Sequence, residues 1–162
     1  MLASNIGCLT NPKKLADSFN SIVKGKLTRD TVQNYLSYFE DAFLIEKAVR
    51  FDIKGKNYIN YPLKYYFSDL GLRNARLNFR QIEKTHLMEN VVFNELLIRG
   101  FNVDVGVVPV RRMDDEGNRT RAQLEIDFVC NKGSKRFYIQ SAYALPSEKK
   151  DTTRNRAFYK RG

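Results

Sequence analysis

One histidine and two cysteines are all the soft metal ligands that this 162-residue chain carries. A structural zinc site needs about four Cys or His ligands, several at close spacing, so that class is excluded. Cys8 and Cys130 stand far apart, each in an apolar segment, and are expected as reduced, partly buried thiols and not as a disulfide. No apolar run approaches the roughly 20 residues of a membrane-spanning helix. The opening Met1-Leu-Ala-Ser-Asn-Ile-Gly7 has neither the basic nor the apolar part of a secretory signal. The expectation is a cytoplasmic protein with no membrane among its partners. The chain also lacks G-x-x-x-x-G-K-[ST], the loop whose backbone amides cradle ATP phosphates, so ATP cannot be held here in that manner. No internal repeat is visible.

Acidic residues are present but outnumbered, and the formal net charge is +10. Residues 1–84 carry 14 Lys and Arg against 8 Asp and Glu, and residues 85–162 carry 14 against 10, so both halves are basic. Such a balance suits a polyanionic partner without identifying one. With 43% hydrophobic residues the chain can bury a core, as one ordinary domain or two small ones.

The first third reads as helices. Asn11-Pro12 offers an N-cap followed by proline at the first helical position, and Leu15, Ala16, Phe19, Ile22 and Val23 keep helical spacing until Gly25, the end of the second of three helices. Thr28 caps the third, where Val32, Tyr35, Leu36, Phe39 and Phe43 form an apolar stripe. Ile45 to Ile53 and Tyr58 to Phe67 then alternate around Gly55 as a hairpin. Helix, helix, helix, hairpin is the order of a winged helix-turn-helix over 1–84. In it the Thr28 helix would present Arg29, Gln33 and Asn34 to base edges or phosphates, and Lys54 and Lys56 would sit in the wing. A solvated polar face serving protein contacts is the competing reading.

Asp69 to Leu77 is expected as a short helix and 78–84 as a connector marking a domain boundary. A helix from Thr85 to Arg99 closes at Gly100, and a strand follows over 101–108. Residues 109–122, with Arg111, Arg112 and Arg119, form a charged loop or a long hairpin tip.

Leu124 to Cys130 and Lys135 to Tyr143 flank Asn131-Lys-Gly-Ser134, which suits a tight turn. Pairing Cys130 with Lys135 sets Asp127 opposite Tyr138 and Glu125 opposite Gln140, all on one face, with Leu124, Ile126, Phe128, Phe137 and Ile139 on the other. Two carboxylates beside an amide could hold a divalent metal for phosphodiester hydrolysis, or could simply be the wet face of a half-exposed strand. Glu89 shares a helix face with Val92, Phe93 and Leu96, where a carboxylate needs either a buried hydrogen bond to backbone or a metal.

Several motifs occur together in order: Leu2-Ala-Ser-Asn-Ile-Gly7, Thr31-Val-Gln-Asn-Tyr-Leu-Ser-Tyr-Phe-Glu-Asp-Ala-Phe-Leu-Ile45, Tyr65-Tyr-Phe-Ser-Asp-Leu-Gly-Leu-Arg73, Met88-Glu-Asn-Val-Val-Phe-Asn-Glu-Leu-Leu-Ile-Arg-Gly100, Glu125-Ile-Asp-Phe-Val129 and Tyr138-Ile-Gln-Ser-Ala-Tyr143. The set resembles the C-terminal region of a widespread group of prokaryotic AAA-type P-loop ATPases. The resemblance implies an α+β chain, a winged helix over 1–84 followed by a PD-(D/E)XK nuclease-like domain over 85–162 cut short at its end. It also implies an ATPase domain, with its ATP, upstream in the same or a neighbouring chain, so the chain looks like an excised or split C-terminal piece.

Carried over residue by residue, Asp127 matches the first motif Asp, Gln140 stands where Asp or Glu is expected, and Ala142 stands where Lys is expected. Glu89 falls where some members of the nuclease superfamily carry a metal-binding Glu. Gln is a weaker, neutral metal ligand, and Ala cannot stabilise developing negative charge. The expectation is a non-catalytic nucleic-acid-binding or regulatory module with DNA as partner. The alternatives are a magnesium-dependent nuclease using Glu89, Glu125, Asp127 and Gln140, and a protein-interaction or oligomerisation module.

Overall fold

A computed structural model describes residues 1–80, 83–113 and 119–143. The acidic stretch 114–117 and the basic tail 146–162, with Arg154, Arg156, Lys160 and Arg161, lie outside the described residues. The chain is mixed α+β. A 3-10 turn, Ala3–Asn5, precedes α1 (Pro12–Val23), α2 (Arg29–Asp41), β1 (Ile45–Asp52), β2 (Asn57–Phe67), α3 (Leu70–Arg76), α4 (Lys84–Ile98), β3 (Asn102–Met113), β4 (Arg119–Lys132) and β5 (Lys135–Ile139).

Local chemistry sets these boundaries as the sequence implies. Asn11 Oδ1 accepts the Lys14 amide at 2.8 Å, Thr28 Oγ1 accepts the Thr31 amide at 3.2 Å, and Asp69 caps α3 through Gly71. Gly100, at φ +77, ends α4 in the left-handed conformation that glycine adopts without a Cβ clash. The first of the three expected helices, however, is only the three-residue 3-10 turn. A run as short as Leu2 to Gly7 offers too few intrahelical bonds to propagate.

All five strands form one sheet in the order β2-β1-β3-β4-β5. β1 and β2 are an antiparallel hairpin, but β1 also pairs in parallel with β3, Arg50 with Val105 and Asp52 with Val107. Strands from both sides of the 78–84 connector therefore share one ladder, and the hairpin expected as a free wing is built into the sheet. Along β2 the side chains alternate. Tyr66 packs under α4 with Ala48, Phe93, Val105, Phe128 and Cys130, while Leu63 and Tyr65 pack under α1 and α2 with Leu15, Ala16, Val32 and Leu36. The outer edge of β2 is covered. Thr10 bridges Leu63, and the Asn90 amide both accepts from Phe67 N and donates to Phe67 O at 2.8 Å.

Both apolar stripes of α1 and α2 are only half covered: Phe19, Ile22, Val23, Tyr35, Phe39 and Phe43 are exposed. Helical periodicity identifies a face but does not supply a neighbour for it.

Three expectations about the hairpin change. The charged segment 109–122 is mostly strand, for β3 runs to Met113 and β4 starts at Arg119. Lys132 pairs with Lys135, so the turn is only Gly133 and Ser134, and Tyr138 falls opposite Val129 instead of Asp127. Gly133 takes φ +59 at the first turn position, which allows a two-residue loop matched to strand twist. Lastly, a bulge sets Asp127 and Phe128 together against Val105, between the pairs Gly106–Ile126 and Asp104–Val129. Alternation slips there by one residue. Phe128 enters the core beneath α4, whereas Ile126 joins Val129 on the opposite face, against Gly106. A Cβ on Gly106 would stand 2.8 Å from Val129 and 2.9 Å from Ile126, so only glycine lets the bulge close.

Candidate functional site

Polar side chains from β2, α4 and β4 and from the segment just after β5 meet near the bulge. Glu89, one turn above Phe93 on α4, is 7% exposed, and its Oε1 accepts the Tyr66 hydroxyl at 2.6 Å and the Lys64 ammonium at 2.9 Å. The partners expected for Glu89 were backbone or metal. Its actual partners are two β2 side chains, because Lys64 and Tyr66 alternate onto the α4 face. The same ammonium reaches Glu125 Oε1 at 2.7 Å. Lys64 is thus clamped between two carboxylates with its side chain 4% exposed. Burial by itself would lower its pKa, but Glu89 and Glu125 outweigh that and hold it above the ordinary lysine value. Burial, with Glu89 beside it, pushes the Tyr66 hydroxyl far up and keeps it a donor. The segment around Gly7 and Cys8 closes the cluster: a Cβ on Gly7, at φ +68, would lie 3.4 Å from Glu89 Oε1. Burial raises the Cys8 thiol, against the opposing charge of Lys64.

Asp127, 8% exposed, lies next along β4. Its Oδ2 accepts from Gln140 Nε2 at 2.7 Å, Ser141 N at 2.8 Å and Ser141 Oγ at 3.2 Å. The structure therefore brings together Glu89, Glu125, Asp127 and Gln140, but as two hydrogen-bonded groups. One is Glu89–Lys64–Glu125 with Tyr66, the other Asp127 with Gln140 and Ser141.

Magnesium needs near-octahedral oxygen ligands at about 2.0–2.1 Å. These residues do not fit it. Oε1 of Glu89 and of Glu125 faces an ammonium, Oδ2 of Asp127 faces three donors, and the Gln140 amide turns its NH₂ to the carboxylate it would have to join in binding a cation. Among the described residues no three His, Cys, Asp or Glu side chains converge as a metal site. Lys64 and Ser141 were not legible as site residues. The one signal is a lysine in the otherwise apolar run Pro62 to Phe67.

The residues expected to meet nucleic acid are more dispersed. Arg29, Asn34, Lys54 and Lys56 are exposed. Gln33 is not free, since its Oε1 accepts the Tyr61 hydroxyl at 2.6 Å beside a cleft of about 260 Å³ that Lys47 and Tyr65 also line. Lys54 Nζ donates to Pro109 O at 2.9 Å, tying the β1–β2 turn to β3. Glu40 meets Lys47 while Gln33 meets Tyr61, so α2 runs back along β1 and its N-terminus, with Arg29, points toward the turn. Both thiols are free, and burial pushes that of Cys130 up to about 11. No helix among the described residues is long and apolar enough to cross a membrane.

A mixed sheet with α4 on one face and α1 and α2 on the other, enclosing a self-paired carboxylate cluster, is the class of architecture in hand. Residues 1–83 match the profile of a domain of unknown function, DUF8612, and the chain belongs to that family. An uncharacterized protein of Haemophilus influenzae is 35% identical over 151 residues, which cover 93% of this chain and 34% of the relative. The uncharacterized protein MJ1544 of Methanocaldococcus jannaschii is 34% identical over 142 residues, covering 86% and 28%. The chain thus spans about a third of the length of the relatives it matches. No solved structure matches it.

Proposed function

We propose that the chain is a non-catalytic nucleic-acid-binding or regulatory module, in which winged helix-turn-helix elements are joined to a degenerate PD-(D/E)XK-like centre, and that it works attached to a P-loop ATPase. The observation that carries the non-catalytic reading is Asp127 Oδ2, which takes its three donors from Gln140 and Ser141. A carboxylate satisfied by an amide needs no cation, whereas the paired carboxylates of a metal site do. The +10 charge and the exposed Arg29, Lys54 and Lys56 support a polyanionic partner. Most of each longer relative lies outside the matched stretch, which leaves room for the ATP-binding domain.

Duplex DNA should bind with marked salt dependence. Fluorescence anisotropy on Arg29→Ala/Lys54→Ala/Lys56→Ala is expected to show weaker binding and a salt slope smaller by about 2 to 3. Unchanged affinity would remove these residues from the interface.

A metal-dependent nuclease is the second reading, and the observation on its side is Lys64, an ammonium among carboxylates where the hairpin itself has Ala142. Incubation of DNA and RNA with magnesium or manganese is expected to give no cleavage. Cleavage that disappears in Asp127→Ala would overturn the non-catalytic reading.

A further inference from the structure

We propose that the β3–β4 extension, Val108–Met113 with Arg119–Leu124, is a nucleic-acid-binding arm whose Arg111, Arg119 and Arg121 grip the phosphate backbone. This rests on the nucleic-acid reading above and moves its main contact from α2 to the far end of the sheet.

The register sets Val110 against Ala122, Arg111 against Arg121, Arg112 against Thr120 and Met113 against Arg119. All four guanidiniums are exposed, and none has a hydrogen-bond or ion-pair partner among the described residues. Two like charges directly across a ladder repel, so the Arg111–Arg121 pair weakens the arm unless an anion lies between them. The ribbon has two unlike faces. Alternation puts Arg111, Met113, Arg119, Arg121 and Gln123 on one, and Val108, Val110, Arg112, Ala122 and Leu124 on the other.

The arginine face is the α4 face of the sheet. Going down β4 every second residue, Arg119 and Arg121 lead to Gln123, which accepts from Arg50 at 2.7 Å, then to Glu125, clamped by Lys64, and then to Asp127. The single ammonium of Lys64 offsets only part of the charge of Glu89, Glu125 and Asp127, so a backbone laid along Arg119 and Arg121 is held to the arginine end of this face. Lys54 Nζ on Pro109 O sets the β1–β2 turn, with exposed Lys56, at the base of the arm and widens the basic surface. Planar guanidiniums make paired bonds to phosphate oxygens, which favours phosphodiester over a diffuse anionic surface.

The test is anisotropy of a fluorescein-labelled random-sequence duplex with the whole chain, wild type against Arg111→Ala/Arg121→Ala, across a salt series. Lys14→Ala/Lys26→Ala is the charge-matched control. The arm variant is expected to bind about tenfold more weakly, with a salt slope lower by about 2, while the control changes little. Equal losses in both variants would mean that only net charge matters and would overturn the arm. So would an unchanged arm variant beside a wild type that binds, which leaves the nucleic-acid reading standing. A wild type that binds no duplex removes that reading itself. Tighter binding to polyglutamate than to duplex would assign the arm to an acidic protein and overturn the proposal.

Discussion

Lys64→Met should destabilise the fold by about 3–5 kcal/mol at neutral pH, the range for removing one partner of a buried ion pair. The loss comes less from the missing attraction than from what is left, since Glu89 keeps its burial and loses its cation, and Tyr66 alone cannot neutralise it. Adding Glu89→Gln to Lys64→Met should therefore recover part of the loss, a coupling that urea unfolding of the two single variants and the double variant will measure. The pH dependence has a definite sign. Lys64 has a raised pKa in the folded state, so its contribution is complete below the ordinary lysine value of 10.5 and is lost as pH rises through the raised one. Tyr65 and Tyr66, both pushed above the ordinary tyrosine value of 10.0 by burial, act in the same direction. Wild-type stability should thus fall steeply in strong alkali, and the gap to Lys64→Met should narrow there. A variant within about 1 kcal/mol of wild type at neutral pH would show the clamp to be no more than a surface pair.

Phe128→Ala is the second large effect, at about 3–5 kcal/mol. Phe128 is fully buried, its ring 6.1 Å from those of both Tyr66 and Phe93, which stack on each other at 4.2 Å. Ile126→Val, two residues away on the opposite face, should cost about 0.5–1.5 kcal/mol in the same urea experiment. A cost below about 1 kcal/mol for Phe128→Ala would mean that its ring is not enclosed by Tyr66 and Phe93.

Caps, helix ends and strand pairs were legible because they depend on residues a few positions apart, as Asn11 with Lys14, Thr28 with Thr31, Asp69 with Gly71, and Gly133 in its turn. Glu89 stood out because a carboxylate on an apolar stripe demands a partner. The partner could not be named. Lys64 lies 25 positions away on another element, and only the pairing of β2 to β1, of β1 to β3 and of β3 to β4 carries it to Glu89 and Glu125.

The hairpin shows the same division at shorter range. Asp127 and Glu125 were correctly set on one face and Gln140 does reach Asp127, from just beyond β5, but Tyr138, expected beside them, pairs with Val129 on the other face. Their direct partners were misassigned, because strand β4 continues through Asn131 and Lys132. The face of Phe128 was misassigned because a bulge depends on the neighbouring strand, where Gly106 leaves the space that closes it, whereas Ile126 lies on the face opposite Glu125, as expected. Similarly, the basic segment after Pro109 has no strong strand pattern of its own. It becomes ribbon because β3 and β4 are already paired and the ladder extends outward.

By itself the sequence determined the basic charge, most of the order of helices and strands and the absence of a G-x-x-x-x-G-K-[ST] loop. Each of these is a property of residue type or of close neighbours. Only the tertiary structure decided that one sheet joins both halves, that Lys64 sits between Glu89 and Glu125, and that Arg111, Arg119 and Arg121 share a face with that cluster. These depend on contacts between distant strands, whose register is fixed by burial and bulges that no local pattern encodes.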